Sequence, residues 1–136
     1  MKRYSYRFEV AAEDIDHNGH VNNVTYLAWM IEAATKHSES LGLDYKVCRS
    51  FGGTWVAKSH KIEYRKPAFE GDELEMQTWI ETIGKVLSMR RYQLLRPRDG
   101  AVICEGETEW VFVDTERMRP MKIPAEIIEG FKKNSF

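Results

Sequence analysis

A cluster of polar side chains near the N-terminus has the composition of a catalytic loop. Within ten residues lie two carboxylates, two imidazoles and three amides: Asp14, Asp16, His17, Asn18, His20, Asn22 and Asn23. Carboxylates and imidazoles accept protons from water or attack carbonyl carbons. The segment therefore predicts acid–base chemistry on a carbonyl group, provided that a helix begins directly after it. Asp and Asn residues also commonly cap turns, and that structural role stays open.

A long helix is expected immediately after this loop. Residues 13–20 are too polar for a regular element. Asn22 and Asn23 can cap a helix over about 23–41, which Gly42 can end. Its buried face would consist of residues at three- and four-residue steps: Tyr26, Trp29, Met30, Ala33, His37 and Leu41. The N-terminus of such a helix carries about half a positive charge and would polarise a carbonyl oxygen placed there.

The rest of the chain shows the two-residue period of β-strands. The clearest alternation runs through 72–82, with Leu74, Met76, Thr78 and Ile80 on one side. Residues 101–113 alternate similarly and place these side chains on one face: Val102, Cys104, Thr108, Trp110 and Phe112. The other predicted elements are strands over 3–10, 54–66 and 85–96, a hairpin turn at Asp99-Gly100 and a short helix over 124–133.

These elements predict an α+β fold. We expect a long helix, then an antiparallel meander of about four long strands, with the N-terminal strand added to the same sheet. One helix can cover so wide a sheet only if the sheet curls around the helix. The sheet edge and the loop would then be left for a second subunit, so we expect a homodimer or homotetramer.

The composition is typical of one soluble globular domain, residues 1–136. Of its 136 residues, 43% are hydrophobic and 30% are charged. The net charge of −1 argues against general binding to nucleic acids or anionic membranes. We expect neither a signal peptide nor a membrane span, since no apolar stretch approaches ~18 residues. Cys48 and Cys104 lack metal-type spacing, which favours free thiols in a reducing cytoplasm.

The loop partly matches two kinds of metal site, and neither is favoured. Asp14, Asp16, Asn18 and Gly19 match the start of a calcium-binding EF-hand loop, but its twelfth position needs Glu and is Thr25 here. Asp16 and His20 have a spacing that suits zinc on a helix, but no second His or Cys group completes the ligands. We therefore expect no metal and no cofactor.

Three segments resemble the hotdog-fold acyl thioesterases of the 4-hydroxybenzoyl-CoA and acyl-ACP thioesterase superfamily. The first contains Asp14-Ile15-Asp16, Gly19-His20-Val21-Asn22-Asn23 and Tyr26. The second contains Tyr64-Arg65-Lys66-Pro67-Ala68 with Gly71-Asp72, and the third is Trp110-Val111-Phe112-Val113-Asp114. The resemblance implies a long central helix wrapped by a curled antiparallel sheet of about five strands. It also implies hydrolysis of acyl-CoA or acyl carrier protein thioesters, at a site between subunits.

The resemblance also implies roles for single residues. Asp16 is the expected base or nucleophile, Asn23 the oxyanion donor through its backbone N–H, and Asn18 and His20 further catalytic groups. Sequence does not decide whether Asp16 or His20 is the base. Substrate contacts are expected from Asn22, Tyr26, Arg65 and Lys66. Basic residues on strand ends would meet nucleotide phosphates: Lys58, Arg65, Lys66, Arg90 and Arg91.

The chain departs from the acyl-ACP pattern in one respect. Where that group has been assigned a catalytic Cys, this chain has Pro67 and Ala68, so a Cys nucleophile is not expected. Two alternatives to a thioesterase remain. One is a non-catalytic protein that binds acyl thioesters on the same fold. The other is a dehydratase or hydratase, which would use a loop His with a helix carboxylate such as Glu32 or Glu39.

Overall fold

The computed structural model describes residues 2–135. Its regular elements follow the predicted order, and they are β1 (Tyr4–Glu9), α1 (Asn23–Ser40), α2 (Tyr45–Ser50), β2 (Gly53–Tyr64), β3 (Glu73–Ile83), β4 (Leu87–Arg96), β5 (Ala101–Asp114) and α3 (Ala125–Ser135). The expectation of an α+β fold is confirmed. Sequence analysis missed α2 and a 3-10 turn over Ala12–Asp14, because both are too short to show a helical period.

The central helix begins and ends at the residues that its sequence indicates. The side chain of Asn22 accepts a hydrogen bond from the Val24 N–H and so caps α1. At the other end Gly42 has φ of +71°, the left-handed conformation that glycine adopts most readily. Its N–H donates to the carbonyl of Glu39, and the Leu43 N–H donates to that of Ser38. Local chemistry therefore sets the length of α1.

The sheet is antiparallel with the order β1-β3-β4-β5-β2. The prediction of a simple meander is wrong for β2, which pairs with β5 and not with β3. Residues 65–72 separate β2 from β3 and contain Pro67, so no tight hairpin joins them. Instead the N–H groups of Arg65 and Lys66 donate to the carbonyl of Ile103 on β5. This connection leaves β2 and β1 as the two edges of the sheet.

The 65–72 connection is anchored by a buried ion pair. The Asp72 carboxylate lies 3.2 Å from Arg96 Nη1, and both side chains are about nine-tenths buried. The same carboxylate accepts the Phe69 N–H at 3.0 Å. Backbone bonds from Val10 to Asp72 and from Val21 to Ala68 join this segment to the end of β1 and to the loop before α1. The connection therefore positions the polar loop against the sheet.

The main core lies between α1 and the concave face of the sheet. Its α1 side chains include Tyr26, Met30 and Ala33. The helix approaches β5 so closely that a Cβ added at Gly106 would lie 2.7 Å from the Met30 Sδ. Glycine at this position is therefore a packing requirement. Within residues 2–135 no helix has both the length and the apolar composition needed to cross a membrane.

Strand alternation predicts the buried face of β3 but fails at two places on β5, Ile103 and Val113, which are both buried. Leu74, Met76, Thr78 and Ile80 of β3 are buried as predicted. On β5, Ile103 is fully buried although strict alternation with Val102 and Cys104 places it outside. The pairing of β4 with β5 shifts register between Leu94 and Leu95, opposite this point. A bulge of this kind puts two successive residues out of strict alternation.

Candidate active site

The polar loop before α1 is closed by its own backbone. The Asp16 N–H donates to the His20 carbonyl and the Gly19 N–H donates to the Asp16 carbonyl, both at 3.0 Å. Gly19 has φ of +83°, which this turn requires and glycine tolerates. An isolated bridge between Ile15 and Val21 flanks the turn. The loop therefore holds its side chains on a short, closed turn rather than on an open segment.

Asp16 has one carboxylate oxygen held by the turn and one available. Its Oδ1 accepts the Asn18 N–H at 2.8 Å. Within residues 2–135, Oδ2 has no hydrogen-bond partner. The side chain is half-buried. The neighbouring Asp14 likewise uses one oxygen, Oδ2, to accept the Ala11 N–H at 3.0 Å. Each loop carboxylate therefore has one oxygen in a backbone hydrogen bond and one without a partner in the described residues.

His20 is held by the backbone beside it. Its Nδ1 lies 3.3 Å from the Val21 carbonyl oxygen. Because a carbonyl oxygen only accepts hydrogen bonds, this contact assigns the proton to Nδ1 and leaves Nε2 as an acceptor. Asn18 is exposed and uses its backbone N–H to orient Asp16. Asn18 and His20 therefore lie on the same closed turn as the available carboxylate.

The N-terminus of α1 presents one backbone donor that the helix does not use. The Val24 N–H donates to the Asn22 side chain, and the Thr25 N–H donates to the Asn22 carbonyl, both at 2.9 Å. The first N–H groups of an α-helix have no intrahelical acceptor. Within residues 2–135, the N–H of Asn23 has no other partner either. An oxyanion at this end of α1 would find a free N–H and the positive end of the helix dipole.

Two contacts join the helix N-terminus to the second segment of the motif. The Tyr64 hydroxyl donates to the Asn23 carbonyl at 3.0 Å. The Val21 N–H donates to the Ala68 carbonyl at 2.9 Å. Beneath them Tyr26 is buried, and its ring lies 5.6 Å from that of Trp29 and 5.5 Å from that of Tyr64. Burial raises the pKa of Tyr26 to about 12, so this phenol remains protonated at neutral pH.

The candidate phosphate-binding residues differ in their partners. Arg65 lies 3.3 Å from both Glu63 and Glu105, whereas Lys66 is exposed and forms no ion pair within residues 2–135. The strand cations Lys58 and Arg91 are likewise paired with glutamates of the sheet.

The expectation that Arg90 is an accessible strand-end cation is wrong. This residue is 4% exposed, because alternate side chains of β4 point inward and Arg90 is one of them. Its side chain lies beneath α1. The sequence signal for this orientation, which was missed, is the two-residue spacing that puts Arg90 on the same face of the strand as Tyr92 and Leu94, both of which are buried.

Neither cysteine has the environment of a nucleophile. Cys48 and Cys104 are both buried and free. Burial raises the pKa of Cys104 to about 12, far above the range in which thiolates form at neutral pH. Among residues 2–135, no group of three His, Cys, Asp or Glu side chains is arranged as a metal site.

Comparison with known proteins assigns the chain to a family. The family model described as the thioesterase-like superfamily matches residues 10–131. The chain belongs to this superfamily. The matched range includes the loop, α1 and all four long strands. The thioester-hydrolase family expected from the loop motif is therefore confirmed.

Relatives within the superfamily include bacterial and plant enzymes. The acyl-CoA thioester hydrolase YbgC of Escherichia coli O6:H1 is 27% identical over 121 residues, which cover 89% of this chain and 90% of YbgC. The chloroplastic palmitoyl-acyl carrier protein thioesterase of Cuphea hookeriana is 33% identical over 97 residues. Those residues cover 71% of this chain but only 20% of the plant protein.

A solved structure supports the fold. Slr0204 of Synechocystis, a 1,4-dihydroxy-2-naphthoyl-CoA thioesterase, has a TM-score of 0.88 and 18% identity. The alignment covers 96% of this chain and 96% of Slr0204. At this identity the likeness concerns the fold, and it confirms the expected hotdog architecture.

Proposed function

We propose that this member of the thioesterase-like superfamily hydrolyses thioesters of coenzyme A or of an acyl carrier protein. The products would be a carboxylic acid and a thiol. The observation that carries the proposal is that an available carboxylate oxygen, Asp16 Oδ2, lies on the loop directly before α1, whose first residue, Asn23, has an available N–H. Family membership and the likeness to YbgC support it.

In the proposed reaction Asp16 accepts a proton from water, whose oxygen attacks the thioester carbonyl carbon. The electron pair of the C=O bond moves to the carbonyl oxygen, which the Asn23 N–H and the positive end of α1 stabilise. When the carbonyl re-forms, the C–S bond breaks and the thiolate takes the proton from Asp16. A thiol has a pKa of about 8.5, so its departure needs little help from a general acid.

Asp16 also has a nucleophilic route open to it. In that route a carboxylate oxygen attacks the carbonyl carbon, the thiolate leaves, and water hydrolyses the resulting mixed anhydride. A single turnover in ¹⁸O-labelled water distinguishes the two routes when water attacks the Asp16 carbon of the anhydride. The nucleophilic route then places ¹⁸O in the Asp16 side chain, whereas the general-base route places it only in the product acid.

The other loop residues are assigned supporting roles in this proposal. Asn18 and His20 orient the attacking water, and His20 Nε2 is the alternative base. Asn22 acts through α1, because its side chain occupies the Val24 N–H and leaves the Asn23 N–H for substrate. Tyr26 contributes an aromatic wall below the site.

We assign contact with the phosphates of the thiol carrier to Arg65 and Lys66. Both follow β2 directly, on the segment that the Ala68 carbonyl ties to Val21. Lys66 is expected to contribute more, since Arg65 already contacts two glutamates.

We further propose that the protein acts in the cytoplasm as a homodimer or homotetramer. The outer edge of β2, a strand of 12 residues, has no neighbouring strand within residues 2–135. Exposed edges of this length commonly pair with a second chain. Val24 and Tyr64 are 74% and 48% exposed beside the helix N-terminus. Light scattering would then give two or four times the 15.9 kDa chain mass, and a 15.9 kDa particle would contradict the assembly.

The experiment that tests the function is thiol release from short, long and aryl acyl-CoAs, with acyl carrier protein esters as a second panel. We expect Asp16→Asn to lower kcat by about 10²–10⁴-fold, the usual contribution of a general base. Asp14→Asn is the matched control on the same loop and should retain most of the activity. Undiminished turnover in Asp16→Asn would indicate that His20, and not Asp16, is the general base. Binding of acyl-CoA and acyl carrier protein esters without thiol release would favour the non-catalytic alternative.

A further inference from the structure

A cavity lies at the other end of α1 from the catalytic loop. It has a volume of about 260 Å³ between α1, α2, α3 and the concave face of the sheet. Most of its wall is apolar, and the main contributors are Ala34, Leu43, Trp55, Ile80, Trp110 and Phe131. Ala34 lies about 16 Å further along the axis than Asn23, at about 1.5 Å per residue. Within one chain, the cavity is therefore separate from the loop.

The cavity contains a buried arginine that has no acidic partner. Arg90 lines it and is only 4% exposed. Its Nη1 donates to His37 Nδ1 at 2.9 Å and to Thr78 Oγ1 at 3.1 Å, which uses both protons of that nitrogen. Within residues 2–135 it forms no ion pair. Buried arginines are usually paired with a carboxylate, so this charge lacks its ordinary neutralising partner.

The neighbours of Arg90 do not remove its charge. Burial lowers the pKa of Arg90 to about 10, which still leaves it cationic at neutral pH. Burial, together with the charge of Arg90, lowers the pKa of His37 to about 4, so His37 is neutral there and accepts the hydrogen bond at Nδ1.

Arg90 lines the cavity, and the unused edge of its guanidinium is not sealed from solvent. Its Nε and Nη2 have no hydrogen-bond partner in the described residues. Within the same residues, the only side-chain polar atom that is both sealed from solvent and unpartnered is Trp110 Nε1. The Nε and Nη2 atoms are therefore accessible. These two nitrogens present parallel N–H bonds, the arrangement that binds both oxygens of a carboxylate.

We propose that this cavity binds a monocarboxylate on a small apolar stem, with the carboxylate on the Nε–Nη2 edge of Arg90. The stem packs against Ile80, Trp55 and Phe131. At about 30 Å³ per water-sized group, 260 Å³ holds roughly eight or nine non-hydrogen atoms, about the size of benzoate and slightly below that of octanoate. Glu39 and Asp44 at the lining add negative charge, which disfavours dianions such as phosphate.

Two sources could supply this carboxylate. One is a free carboxylic acid, the class of product that the proposed hydrolysis releases. The other is the distal carboxylate of an acyl group that carries two acid functions. The first source requires only binding. The second rests on the proposed function and on a partner subunit that brings its catalytic loop to this cavity, because the cavity is separate from the loop of its own chain.

The binding test uses octanoate and benzoate with uncharged octanol and with inorganic phosphate, measured by calorimetry and thermal shift at pH 7.5. We expect one octanoate per chain, with octanol and phosphate at least 10-fold weaker. Arg90→Met removes the charge, and Ala34→Leu fills the cavity but keeps Arg90. Each of these two substitutions should weaken the binding of octanoate at least 10-fold. Arg91→Met is the matched control, because Arg91 lies next along β4 on the opposite face and contacts Glu81 and Glu107; it should bind as wild type does.

Two results would overturn the proposal. One is equal affinity for octanoate and octanol. The other is octanoate binding that persists in Ala34→Leu, a variant that leaves the buried hydrogen bonds of Arg90 intact and so tests the site even if Arg90→Met does not fold.

Kinetics then separate the two sources. If Arg90 binds the distal carboxylate of the acyl group, the ratio of kcat/KM for adipoyl-CoA to that for hexanoyl-CoA should fall at least 10-fold in Arg90→Met. If the ligand is a free acid, that ratio should stay unchanged while octanoate binding is lost. Failure of hydrolysis altogether would leave the binding result standing, so the two proposals fail independently.

Discussion

The Tyr64 hydroxyl donates a hydrogen bond to the carbonyl oxygen of Asn23 at 3.0 Å. Tyr64 is the last residue of β2 and Asn23 is the first residue of α1. The contact therefore joins the far end of an edge strand to the helix turn whose free N–H is the proposed oxyanion donor. It fixes the peptide that follows Asn23, and so limits the directions in which that donor can point.

Removing this hydroxyl should reduce turnover more than substrate binding. In Tyr64→Phe we expect kcat to fall about 5-fold with KM little changed, because a lost hydrogen bond of about 1 kcal/mol corresponds to that factor. Thiol-release kinetics give the kcat and KM values separately. Tyr45→Phe is a suitable control, since Tyr45 is an exposed tyrosine on α2. A rise in KM at constant kcat would indicate that Tyr64 contacts substrate and does not position Asn23.

The cap of α1 couples stability to the geometry of the site. Asn22→Ala should lower the free energy of unfolding by about 1 kcal/mol, the usual cost of losing an N-cap side chain. Urea denaturation measures this loss. Asn22→Ala should also lower kcat, because the Val24 N–H loses its acceptor and the helix N-terminus is less well held. Asn22→Asp keeps a capping oxygen and should have near wild-type stability and kcat. Asp44→Ala removes the corresponding cap of α2 and should lower stability without changing kcat. An Asn22→Ala protein as stable as wild type would show that the cap is dispensable.

Burial of His37 should make stability depend on pH. Burial, with the nearby Arg90, lowers the pKa of His37 to about 4 from an ordinary value of 6.5. Above pH 6.5 the imidazole is neutral in both states. Between pH 6.5 and about 4 the unfolded chain binds a proton that the folded chain excludes, so stability falls as the pH falls through this window.

At about 1.4 kcal/mol per pKa unit, the His37 contribution is at most about 3.5 kcal/mol. His37→Gln retains an acceptor for Arg90 but does not titrate, so its free energy of unfolding should vary less between pH 6.5 and 4. Urea denaturation at several pH values measures the slope. His17→Gln, at an exposed histidine, should keep the wild-type slope. An unchanged slope in His37→Gln would contradict the assignment.

The buried Arg96–Asp72 pair should be costly to break on one side. Arg96→Met leaves Asp72 with the Phe69 N–H and the more distant Arg98, at 3.6 Å. We expect a loss of about 2–4 kcal/mol in urea denaturation, because one partner of a nearly buried ion pair then lacks its main counter-charge. The double variant Arg96→Met/Asp72→Asn should recover part of this loss. Arg96 Nη2 also lies 3.0 Å from the Asp99 carboxylate. No recovery in the double variant would mean that Arg96 acts mainly through Asp99.

Local sequence determined the parts of the molecule whose causes lie within a few residues. Asn22 and Gly42 mark the ends of α1 because a cap and a left-handed glycine act on neighbouring backbone groups. Alternation predicted the buried face of β3 because successive side chains of a strand point to opposite sides. The proximity of Asp16 to a helix N-terminus was predictable for the same reason, since the turn that carries it is closed by bonds between near neighbours.

Tertiary structure decided the relationships between distant residues. The pairing of β2 with β5 and the contact of Tyr64 with Asn23 join segments that are far apart in sequence. The bulge that buries Ile103 depends on how β4 pairs with β5. Arg90 shows the consequence most clearly. An arginine is expected to be exposed. Arg90, however, is one of the inward-pointing residues of β4, and α1 packs above it, so it is buried beside His37. Such placements depend on which surfaces meet, and local propensities carry no information about that choice.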